Sequence, residues 1–259
     1  MVKHYFYDDL ITKQIYTDGF KCPNFEECSG SMEPNNKLKF YRTRIGSKYD
    51  EEQIKILVVG QEDVGEGKKY TCCEPCTMEE AGYNPHYLKT FYSVAQILLD
   101  DKDLPKGYNK DDMSQSKYED LRHSFSLTNY YKCVYSDSTN NSGVNHSKAM
   151  EKYCCEYLIK EIEMLKPDIL IFQGKGHPTF WKQIEYNEVG ETKRTFSINN
   201  KNYELGLYET NINDKKTYII DSCHPTVRGN IWNETSEYLV ELLRMAKELC
   251  KGTLELWPM

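Results

Sequence analysis

"CCEYLIKEIEMLKPDILIFQG", from Cys154 to Gly174, joins the end of a helix to a buried strand. The first half continues a helix that the pattern places over 147–166, with Ser147 as a candidate cap. Pro167 and Asp168 stop that helix, because proline cannot extend it. The apolar run 168–174 then reads as a buried strand. Working outward, "KILVVGQ" (55–61), "SFSLTNYYKCVY" (124–135) and "KTYIIDSCHP" (216–225) supply three more strands. Helices are expected at 84–100 and 233–250, a polar surface connection at 101–119, and a hairpin over 195–210 turning at Asn199 and Asn200.

Strands that are continuous apolar runs and alternate with helices call for a parallel sheet covered on both faces. The expected fold is therefore α/β. It is a three-layer α/β/α sandwich around a mainly parallel four-stranded sheet, with a small hairpin and a cysteine-bearing N-terminal segment over 1–50. The 259 residues fit one domain, 1–259. Ligands of such sheets gather at the carboxyl ends of the strands. Those ends carry Gln61, Glu62 and Asp63, Asn129 through Cys133, Gln173 through Lys175, and His224 through Thr226.

Composition narrows the classes. With 39% hydrophobic and 28% charged residues, the chain is globular rather than disordered. A formal charge of −7 argues against a protein that coats DNA, and leaves room for an enzyme touching nucleic acid through one local patch. No apolar run reaches the ~20 residues of a membrane span. The opening "MVKHYFYDDL" lacks the apolar core of a secretory signal, so an intracellular, cytoplasmic monomer is expected. In a reducing compartment, ten cysteines suggest metal or cluster ligation over disulfides, with small buried hydrophobes as the alternative, preferred for Cys223 and Cys250.

Taken together, the segments resemble the uracil-DNA glycosylase superfamily, nearest its iron–sulfur branches (families four and five). "VVGQED" is similar to the strand-ending first motif, and "KTFYSVAQILLD" to the helix entry that carries a base-stacking aromatic. "LTNYYKC" resembles the segment in which an Asn reads the base and a following Cys binds the cluster. "CCEYLIKEIEMLKPDILIFQG" is similar to the family's Cys-x-x-Tyr-Leu helix and third strand, and "SCHPT" to its terminal His-Pro motif. Order and rough spacing agree from about residue 20 to about residue 245.

The resemblance implies a hydrolase that cleaves the N-glycosidic bond of uracil or a related damaged base in single- or double-stranded DNA, with the base flipped into a pocket. It implies Glu62 as the water-positioning carboxylate, with Asp63, standing where the family has Pro, as an alternative acid. His224 would stabilise the departing base. Gln61, Phe91 and Asn129 would form the base pocket. Phe91 also suits a core position on its helix face. Lys175, Thr226 and Arg228 would take phosphates. A [4Fe–4S] cluster would be held by Cys22, Cys28, Cys133 and Cys154. Cys22 and Cys28 are six apart, wider than the family's pair; Cys72, Cys73, Cys76 and Cys155 are rival ligands, and zinc is the alternative ion. Two other readings stay open: a non-catalytic binder of nucleic acid or base on the same fold, and an enzyme acting on a free nucleotide or modified base.

Overall fold

The computed structural model describes residues 24, 27–28, 43, 45–60, 88–107, 112–132, 148–224 and 234–254, and the backbone alone at 37–40, 85–87, 133–136 and 230–233. Nine strands are described: β1 (Lys37–Phe40), β2 (Ile56–Gly60), β3 (Ser126–Asn129), β4 (Cys133–Ser136), β5 (Ile169–Gln173), β6 (Tyr186–Glu188), β7 (Arg194–Ile198), β8 (Lys201–Ile212) and β9 (Lys215–Ser222). Five helices accompany them: α1 (Pro85–Leu98), α2 (Gln115–Ser124), α3 (Lys148–Leu165), α4 (Pro178–Trp181) and α5 (Asn230–Lys251). The main sheet has the order β3-β2-β5-β9-β8-β6, and β7 pairs with β8. β3, β2, β5 and β9 run parallel, whereas β8 is antiparallel to β9, β6 and β7. The fold is thus α/β with a largely parallel sheet core. Among the described residues, no helix is long and apolar enough to cross a membrane.

The stop after α3 has a local cause. Lys166 adopts φ 47 and its N–H closes on the Ile162 carbonyl at 2.8 Å, after which Pro167 prevents another turn. Asp168, directly before β5, ties it to the residue entering β2 and to β9. Its carboxylate accepts from the Lys55 N–H at 2.8 Å and from the Lys215 ammonium.

Alternation along each parallel strand sends side chains to opposite faces. Ile56, Val58, Ile169, Ile171 and Ile220 join one buried cluster with Val94 of α1, Leu121 of α2 and Leu242 of α5. Leu57, Val59, Leu170, Phe172 and Ile219 join the other with Leu158 and Ile162 of α3 and Phe180 of α4. Each such side chain, fully withdrawn from water, contributes about 1.5–3 kcal/mol. Apolar strands buried on both faces are what their uninterrupted hydrophobic runs require.

Two expectations need correction. The single strand expected over 124–135 is two: β3 ends at Asn129, and β4 pairs antiparallel with β1 in a separate two-stranded sheet. Tyr130, Tyr131 and Lys132, all buried, lie between the two strands, and the Tyr130 N–H turns to the Gly60 carbonyl at 2.7 Å. The supposed connection 101–119 contains the start of α2, capped by the Ser114 side chain, which accepts from the Lys117 N–H. Tyr118 and Leu121, three apart, are the buried contacts that hold this otherwise polar helix. The hairpin turns where expected: Asn199 and Asn200 take φ 52 and 61, the left-handed pair a two-residue turn demands.

Candidate ligand-binding edge

The strand register builds one row at the carboxyl edge. Gly60 stands opposite Asn129 on one side and Gln173 on the other, and Gln173 stands opposite Ser222. All four strands end at this row, β3 at Asn129, β2 at Gly60, β5 at Gln173 and β9 at Ser222. The fourth reaches His224 two residues beyond Ser222, half-buried.

Close approach shapes this row. A Cβ on Gly60 would lie 2.6 Å from the Asn129 amide oxygen, so glycine is what lets the Asn129 side chain lie against β2. The Tyr130 N–H donates to the Gly60 carbonyl at 2.7 Å and fixes the exit of β3 against that of β2. The Gln173 amide donates to the Thr90 hydroxyl on α1 at 2.5 Å, and the Gly174 N–H donates to the Ser222 carbonyl at 3.1 Å. Gly174, at φ 101, turns the chain out of β5.

Four further residues belong to this edge; Tyr130 lies within the strand end 129–133 expected from the sequence, and motif reading did not find the other three. His177 follows β5, accepts the Thr179 N–H on Nδ1 at 3.2 Å, and stacks on Tyr130 with centroids 4.5 Å apart. Tyr130 itself is buried, its hydroxyl donates to the Glu151 carbonyl at 3.0 Å, and burial raises its pKa. Asp221 is 5% exposed, accepts the Gly176 N–H at 2.8 Å, and is pushed up to about 6 by burial. Lys89 of α1 is 4% exposed and lowered to about 8 by burial, which the nearby Cys223 thiol opposes. The sequence signal for the last two is a charged residue inside an apolar run, "YIIDSC" and "YLKTFYSV".

The residues expected from the sequence are distributed as follows. Asn129 and His224 sit on the edge just described. Phe91 is buried in the core, its ring 4.2 Å from that of Tyr118 and 5.4 Å from that of Phe125. Lys175 follows Gly174 and its ammonium bonds Glu204 at 2.7 Å, which raises its pKa. Gln61, Glu62, Asp63, Thr226 and Arg228 lie outside the described residues, as do Cys22, Cys72, Cys73 and Cys76.

Among the remaining cysteines, Cys28, Cys154 and Cys155 share one buried cluster on the α3 face. The Lys132 N–H donates to the Cys154 sulfur at 3.4 Å, and Cys133 follows directly in β4. Burial pushes the Cys155 thiol up to about 11, with the Tyr130 hydroxyl as a hydrogen-bond partner pulling the other way. Among the described residues, no three His, Cys, Asp or Glu side chains are grouped to hold a metal ion.

No protein-family model matches the chain, and no curated protein matches it significantly.

Proposed function

We propose that the carboxyl edge is the active site of a uracil-DNA glycosylase-like hydrolase, built on a three-layer α/β/α sandwich whose central four strands are β3, β2, β5 and β9. The observation that carries this reading is the register. Asn129, Gly60 at the start of "GQED", and Gln173 share one row, and His224 leaves the neighbouring strand two residues past it. In the reaction, water adds to the sugar C1′ and gives up a proton, the N-glycosidic bond breaks, and its electron pair leaves with the base, which takes up a proton to become the free base. Positive charge grows on the sugar and negative charge on the base. Glu62, or Asp63 beside it, positions the water and stabilises the sugar cation. His224 donates to the base oxygen that gains charge. Asn129 reads the base edge, its amide both donating and accepting. The partner is DNA with an extruded base.

The cysteines fit a structural [4Fe–4S] cluster in part. Cys28 and Cys154 belong to one buried cluster, the Lys132 N–H faces the Cys154 sulfur, and Cys133 follows Lys132 at the start of β4. With Cys22 they would supply four thiolates, the usual cluster set. Such a cluster would clamp the N-terminal segment and take no part in bond cleavage. Zinc is the rival occupant. Anaerobically purified protein is expected to be brown, with iron and sulfide that Cys154→Ser loses. A colourless zinc protein would overturn the cluster.

The deciding experiment is base release from single- and double-stranded oligonucleotides bearing uracil and a panel of damaged bases. Wild type is expected to release a free base, and Glu62→Ala and His224→Ala to lose roughly 100-fold or more. A wild type inert over the whole panel refutes the hydrolase. Binding without cleavage would identify a non-catalytic member, a reading favoured by the Phe91 ring being packed into the core.

A further inference from the structure

Asp221 is a carboxylate buried directly beneath the segment that leaves β5. It sits opposite Phe172 and Gly206 in the sheet and accepts the Gly176 N–H at 2.8 Å. The groups facing it are Lys175 from that segment, Glu204 and Tyr208 from β8, Lys193 ahead of β7, and Cys223 just after β9. Both lysines are engaged elsewhere: Lys175 and Lys193 bond the two oxygens of Glu204 at 2.7 and 3.3 Å. Among the described residues, the carboxylate therefore has a backbone donor and no ammonium in contact. Burial disfavours its charge, and a single amide does not offset that.

We propose that Asp221 is a proton-operated charge switch beneath the Gly174–His177 loop, setting how tightly that loop takes an anionic oxygen of the ligand. This rests on the reading of the edge as a DNA site, where the anion is a phosphate. A neutral carboxyl still accepts from Gly176, so the loop stays in place in both states; the charge under it changes. Ionised Asp221 opposes an anion, and protonated Asp221 does not. Asp221 is thus a positioning residue that acts through the loop. Its titration, pushed up to about 6, falls where a modest change of pH operates it. By linkage, a bound anion raises that midpoint further.

Two measurements on the full chain test the switch. In wild type, the Gly176 amide nitrogen shift is expected to step near pH 6 and to be flat in Asp221→Asn, which keeps the acceptor and removes the charge. Affinity for an oligonucleotide carrying an abasic-site analogue is then compared at each pH, so that other titrating groups cancel. Asp221→Asn is expected to bind roughly threefold or more tighter at pH 7.5 and equally at pH 5. A missing Gly176 step, or an affinity ratio that does not change with pH, overturns the switch. A Gly176 step without oligonucleotide binding by either protein refutes both the DNA reading and the ligand half of the proposal. The expected ratio without base release from any substrate refutes the hydrolase and leaves the switch standing.

Discussion

The imidazole of His177 stacks on the ring of Tyr130 across the end of β2, with centroids 4.5 Å apart and planes 22° from parallel. Tyr130 follows β3, His177 follows β5, and β2 lies between those strands. The pair therefore bridges the point where the chain leaves Gly60. The contacts that fix His177 include the stack, an edge-on contact with the Tyr131 ring at 5.8 Å and the Nδ1 bond from the Thr179 N–H. Loss of a cap bond costs about 1 kcal/mol, and of an aromatic pair about 0.5–1.5 kcal/mol. His177→Phe, which keeps a ring, is expected to cost about 1 kcal/mol in urea unfolding, and His177→Ala about 2 kcal/mol. Equal costs for the two variants would show that the stack contributes nothing.

Lys132 and Glu161 form an ion pair at 2.6 Å with both side chains essentially inaccessible. Thr128 sits between them: its hydroxyl donates to Glu161 at 3.0 Å, accepts from Lys132 at 2.7 Å and meets Thr43 at 2.5 Å. Removing one partner leaves the other charge buried. Lys132→Met is expected to lose about 3–5 kcal/mol of unfolding free energy. The double variant Lys132→Met with Glu161→Leu should recover most of it, since the buried charge is gone. A double variant as unstable as the single one would mean the pair is needed for its geometry and not for charge balance.

The pH dependence of stability should carry two opposite slopes. Asp221 is raised from 3.8 to about 6, so between those values the folded chain holds a proton that the unfolded chain has released. Stability then falls as pH rises through that window. Lys89 is lowered from 10.5 to about 8, so between those values the unfolded chain binds the extra proton, and stability climbs with pH. Each slope integrates to at most about 3–4 kcal/mol. Urea melts from pH 4 to 10.5 should lose the acid-side fall in Asp221→Asn and the alkaline climb in Lys89→Met. Parallel curves for wild type and variant would refute the corresponding slope.

The sheet was readable because its strands are short apolar runs closed by Gly, Pro or polar residues, as at Gly60 and Pro167. The Asn199–Asn200 turn was readable for a similar reason, since few residues other than Asn and Gly accept positive φ in succession. The break between β3 and β4 was not. "NYYKCVY" has the composition of a strand, and the residues after Asn129 are held by contacts far apart in sequence, Tyr130 with Gly60 and Lys132 with Glu161. Helical spacing likewise put Phe91 on an apolar face without saying whether that face meets a ligand or the core. His177 and Asp221 were invisible as a group because the sheet order, which sets β2 between β3 and β5 and places β9 beside β5, is not written in local pattern.

Gly60 offers a test of the edge that separates binding from folding. A methyl there would press on the Asn129 amide oxygen, which lies 2.6 Å from the new Cβ position. That oxygen is the far end of a side chain, so Asn129 can swing away without moving the sheet. A strand glycine is itself worse by roughly 0.5–1 kcal/mol than alanine, which offsets part of the strain. Gly60→Ala is therefore expected to change unfolding free energy by about 1 kcal/mol or less. If Asn129 reads the base, displacing its amide by about an ångström should lower kcat/KM for base release roughly 100-fold, as misplaced contacts do. Asn129→Ala should be no less impaired, and Gly60→Ala combined with Asn129→Ala no worse than Asn129→Ala alone, because both act through one amide. Additive losses would show that Gly60 serves the segment that follows it rather than Asn129, and unchanged kinetics in Gly60→Ala would remove Asn129 from the base pocket.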